Sequence, residues 1–77
     1  MTNTELLKEV INKSGLKLEY LAEKCGITRQ SLSNKILNRN LFNAKEIDIL
    51  CKELNITSLE DKERIFFADE LNKCSTL

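Results

Sequence analysis

Arg29, Gln30 and Asn34 are the side-chain types that make paired hydrogen bonds to base edges, Arg to guanine and Gln or Asn to adenine. They lie in "CGITRQSLSNKILNRN", residues 25–40, which holds the bases Arg29, Lys35 and Arg39 and no acid. The acid-free run extends from Lys24 to Lys45 and takes in five bases. Residues 46–77 hold eight acids against four bases, although the whole chain is formally neutral. Such asymmetry can steer a polyanion to one face. A helix face that is merely lysine-rich would look the same, and charge alone does not separate the two readings.

Spacing shows which elements must carry these residues. The stretch "GITRQSLSNKIL" places Thr28 to cap a helix over 29–37. Ile27 and Leu32 have the spacing of a hydrophobic staple, and Leu32 and Ile36 form the inner side. The outward residues are then Thr28, Arg29, Gln30, Ser31, Ser33, Asn34 and Lys35. A shorter helix over 18–24 precedes it, burying Leu21 and Ala22 and stopped by Gly26, which tolerates positive φ. A helix, a glycine turn and a second helix held across the first make a helix-turn-helix. Arg39, with Asn38 and Asn40, falls in the loop that follows, beside any groove the second helix enters.

The flanking segments read as further helices. Thr2 and Glu5 have capping-box spacing before a helix over 4–14 with the stripe Leu6, Leu7, Val10 and Ile11, closed by Gly15. Asn43 and Glu46 have the same spacing before a helix over 44–54 that buries Ile47, Leu50, Cys51 and Leu54, with Phe42 positioned to staple onto Ile47. Asn55 can end it in the left-handed conformation. Beyond it, Ser58 and Asp61 can cap a fifth helix, whereas Ile65, Phe66, Phe67 and Ala68 could equally form a short strand. Phe66, Phe67 and Leu71 are either core or a dimer seam. Tyr20 either packs or touches a phosphate.

Composition agrees with an all-α chain of four to five helices: 77 residues, 42% hydrophobic, no proline and two glycines. That length suits one domain, residues 1–77, with a core unit over 4–56 and an extension over 57–77. No run of eighteen apolar residues or signal-peptide core occurs, so a cytoplasmic location is expected. The three cysteines lack histidines or a C-x-x-C pair; Cys25 and Cys51 read as small buried hydrophobes and Cys74 as exposed. Without histidine, a Gly-rich phosphate loop or a nucleophile elbow, the chain does not read as an enzyme. No cofactor, metal or small-molecule ligand is expected.

"LAEKCGITRQSLSNKI" followed by "NRNLFNAKEIDILCKELNI" resembles the Cro/repressor class of helix-turn-helix regulators, particularly small phage-associated regulators of Gram-positive bacteria. The resemblance covers roughly residues 4–56. It implies a five-helix domain that binds double-stranded operator DNA as a homodimer, its third helix in the major groove, and regulates transcription, with repression the expected sense. At matching positions Thr28, Arg29, Gln30 and Asn34 fall where the family contacts bases or their neighbouring phosphates, and Arg39 in its phosphate-contacting loop; with Ser33, which shares their face, the first four are the expected base readers. Lys17, Lys24, Ser31, Lys35, Asn38, Arg39 and Asn40 would meet phosphates. One departure stands out: many members begin the second helix with a polar cap and a phosphate-binding Gln, where this chain has Lys17 and Leu18. The alternative on the same fold is a protein-interaction adaptor or antitoxin-like module, the acidic C-terminal third being its docking surface.

Overall fold

The computed structural model describes residues 1–68. They form five helices, α1 (Thr4–Ser14), α2 (Leu18–Cys25), α3 (Arg29–Ile36), α4 (Ala44–Glu53) and α5 (Leu59–Phe66). No strand occurs among the described residues, so the chain is all-α.

Each boundary has a local chemical cause. Thr28 and Ser58 accept hydrogen bonds from the third residues of α3 and α5, and Asn43 with Glu46 forms a reciprocal capping box on α4. Gly15 and Gly26 close α1 and α2 at φ of 74° and 75°. Asn38 and Asn55 do the same after α3 and α4 at 64° and 60°, asparagine being the residue other than glycine that most readily enters this region.

Two expectations change here. The cap of α1 is Asn3, whose Oδ1 accepts from the Leu6 N–H at 3.1 Å. Thr2 instead lies buried against the end of α3, its own N–H bonded to Asn38 Oδ1 at 2.8 Å. The alternative of a strand over 65–68 also fails. Ser58 caps the segment and Arg64 Nη2 reaches Glu60 Oε1 at 2.8 Å one turn away, so local bonds favour a helix through Phe66.

One core joins the five elements. Leu7 of α1, Leu21 of α2, Leu32 of α3 and Leu50 of α4 have no exposed surface, and Ile11, Ala22, Ile36, Ile47, Cys51, Leu54, Ile65 and Phe66 complete the buried set. Packing of α2 against both α3 and α4 fixes the α2–α3 pair, while α5 closes over α1. Phe66 is only 4% exposed and meets Phe42 edge to face at 5.5 Å, so its ring belongs to this core. Phe67 packs half-buried on the same cluster. Leu71 and Cys74 lie outside the described residues.

Candidate nucleic-acid interface

The helix-turn-helix is built around the α2–α3 turn. Gly26 donates its N–H to Glu23 O and Ile27 its N–H to Ala22 O, at 3.1 and 3.0 Å, which satisfies the last carbonyls of α2 and turns the chain. Ile27 packs on the core, and Thr28 starts α3 by accepting from the Ser31 N–H at 3.1 Å. Its hydroxyl also donates to Ser31 Oγ at 3.0 Å. No acid lies in the first turn of α3, so the partial positive charge of its N-terminus is unopposed there.

With Leu32 and Ile36 turned inward, Thr28, Arg29 and Gln30 are exposed and Ser33 and Asn34 half-exposed. Gln30 Nε2 donates to Asn34 Oδ1 at 3.3 Å, linking two amides across one turn. That bond leaves Gln30 Oε1 as an acceptor and Asn34 Nδ2 as a donor. Between α2 and α3 an open depression is lined by Leu18, Arg29, Gln30 and Ser33.

The end of α3 divides residues that adjoin one another in sequence. Asn38 donates its N–H to Lys35 O and Arg39 to Asn34 O, at 3.2 and 2.8 Å, so the left-handed turn at Asn38 directs Arg39 outward. The Asn38 amide is engaged inside the fold: Nδ2 donates to Thr2 O at 2.9 Å while Oδ1 accepts from Thr2 N. Thr4 Oγ1 adds a bond to Ile36 O at 2.6 Å. The N-terminal residues thereby clamp the foot of α3.

Lys35 is engaged as well. Its ammonium is bonded to Glu46 Oε2, with the lysine side chain 16% and the glutamate side chain 4% exposed. Glu46 Oε1 accepts from the Asn43 N–H at 2.9 Å, so both carboxylate oxygens are satisfied. Burial pushes the Glu46 pKa up, but the hydrogen bonds from Lys35 and the Asn43 N–H, together with the lysine charge, outweigh it and hold the group below its ordinary value. This pair joins α3 to the start of α4, and sequence spacing alone did not signal it. Capping-box spacing marks one Glu46 oxygen, but nothing periodic relates it to a lysine eleven residues earlier.

The remaining cations rim the face. Lys17, Arg29, Arg39 and Lys45 are exposed and make no ion pair among the described residues. Lys24 Nζ sits 5.3 Å from the centre of the Tyr20 ring. Tyr20 donates its hydroxyl to Glu53 Oε1 at 2.7 Å, and this bond, aided by burial and by the charges of Glu53 and Glu23, raises its pKa. The ring thus bridges α2 to α4. Lys17 precedes α2 without a side-chain capping bond, and Ser31 and Asn40 flank the face at its start and end. Cys25 and Cys51 are free thiols whose pKa values burial raises.

Comparison with known families matches a helix-turn-helix family over residues 7–61. No curated protein and no solved structure matches the chain. No helix among the described residues is long and apolar enough to cross a membrane.

Proposed function

The chain belongs to the Cro/C1-type helix-turn-helix family of DNA-binding regulators, and from that premise we propose that it is a sequence-specific transcriptional repressor that seats α3 in the major groove of a two-fold symmetric operator. The observation that carries this reading is the outward face of α3: Arg29, Gln30, Ser33 and Asn34 project together from a helix with no acid in its first turn. Arg29 reads a guanine, and the linked Gln30–Asn34 amides present an acceptor and a donor that match adenine N6–H and N7.

Lys17, Lys24, Arg39 and Lys45, with the Ser31 hydroxyl and Asn40, hold the phosphates on either side. Lys35 and Asn38 do not join them, because their polar ends are already bonded within the fold. They position α3 instead.

Two copies are proposed because one helix offers few base contacts. Each good bidentate contact discriminates by about 1–3 kcal/mol, whereas specific sites exceed non-specific DNA by about 4–10 kcal/mol. A pair of copies would place their third helices about 34 Å apart.

The test is selection of bound fragments from random double-stranded DNA near physiological salt. An enriched near-palindrome, its halves about one helical turn apart, is expected. Enrichment of no sequence by folded protein refutes operator recognition, and a single unpaired half-site refutes the homodimer.

A further inference from the structure

The depression between α2 and α3 has an unusual wall for a surface otherwise made of hydrogen-bonding groups. Arg29, Gln30 and Ser33 of α3 line it together with Leu18, the first residue of α2, which supplies apolar surface. Leu18 is half-buried against the core, so its position is set by packing rather than by solvent. A phosphate placed here could bond Arg29 or Ser33 but would lose hydration against the Leu18 side chain. A base edge that carries its own apolar group beside its polar atoms fits the mixture. In the major groove that edge is thymine, whose C5-methyl stands next to the O4 acceptor; cytosine has an amino donor and no methyl. The neighbouring Gln30–Asn34 pair, bonded at 3.3 Å, suits adenine, so both features point to A·T pairs.

We propose that this depression receives the 5-methyl group of one thymine in each half-site and that Leu18 is a specificity-determining residue supplied by α2. The proposal rests on the DNA-binding reading above.

The test uses the full chain and duplexes bearing the selected motif, with each thymine replaced in turn by deoxyuridine. This removes the methyl and leaves every hydrogen bond in place. Burial of one methyl corresponds to about a fourfold change in affinity. One thymine per half-site should therefore lose about fourfold and the others little. In Leu18→Ala the loss at that thymine should vanish. Because Leu18 also packs on the core, Leu18→Gln, which keeps the aliphatic stem and replaces the tip, serves as a second variant, with helical circular dichroism as the folding control.

Uniform indifference to deoxyuridine overturns the proposal while leaving DNA binding intact. A methyl effect of unchanged size in both Leu18 variants overturns it too, since the methyl then sits elsewhere. If selection enriches no motif at all, the DNA-binding reading itself has failed and the proposal falls with it.

Discussion

Lys35→Met cuts the α3–α4 ion pair and leaves the Glu46 carboxylate, 4% exposed, without its cation. Removing one partner of a fully buried pair typically costs about 3–5 kcal/mol. Here Lys35 is itself 16% exposed and the Asn43 N–H still bonds Glu46 Oε1, so a loss of about 2–3 kcal/mol is expected at pH 7. A domain of 77 residues is stable by only about 4–12 kcal/mol, so the loss is large. It should lower Tm by roughly 10–20 °C. The assay is urea unfolding followed by helical circular dichroism, at neutral pH and again near the carboxylate range.

The pH dependence has a definite sign. Glu46 in the folded wild type lies below its ordinary value, so its stabilisation is complete above the unfolded carboxylate pKa of about 4.3 and is lost as pH falls through the folded value. In Lys35→Met the burial that opposes ionisation acts without the ammonium, and protonating Glu46 relieves the variant. The gap between the two proteins should therefore narrow on acidification. Adding Glu46→Gln, which retains a capping side chain without charge, should restore at least half of the loss at pH 7. A loss below about 1 kcal/mol, or one that is the same at neutral and acid pH, would refute the assignment of Lys35 to the fold.

Three further outcomes test the division of labour at the interface. Arg29→Ala should flatten preference at one base position and cost about 1–3 kcal/mol there, measured against a panel of single-base operator variants. Arg39→Ala should weaken all sequences alike and make the slope of log K against log salt shallower by about 0.9, whereas Lys35→Met should leave that slope unchanged because its charge is already matched. Asn38→Ala loses the Thr2 bonds and puts a side chain with no local hydrogen bond at φ 64°, while Asn38→Gly loses only the bonds. Urea unfolding should place Ala below Gly by about 1 kcal/mol, and equal stabilities would show that backbone strain plays no part.

Most of the fold was legible because its signals are local. The stripe of α4, the capping box at Asn43 and Glu46, the stop at Gly26 and the cap at Thr28 each depend on residues within one or two turns. The first cap, Asn3, lies one residue beyond the spacing signal at Thr2, because both residues are good caps. What decides between them is the foot of α3, thirty-six residues away, which binds Thr2. The C-terminal segment was open between helix and strand for a related reason: Ile65 to Ala68 is a continuous apolar run, and only its packing on α1 and Phe42 makes Phe66 interior.

The same argument explains why the interface was legible only in part. Side-chain type identifies a group able to bond a base or phosphate, and helical periodicity identifies the side on which it emerges. Neither shows whether another element arrives to use that group first. Among the described residues only the margin of α2 adjoins Arg29, Gln30 and Asn34, and they stay outward. One turn further on, α4 brings Glu46 to Lys35, and the N-terminal segment brings Thr2 to Asn38. Residues of the same chemistry thus separate into those left exposed on α3 and those bonded within the fold, and the boundary falls where tertiary contacts begin. Lys35 therefore ties α3 to α4: its charge is matched by Glu46 inside the fold, and on the proposed reading it orients the helix rather than attracting DNA.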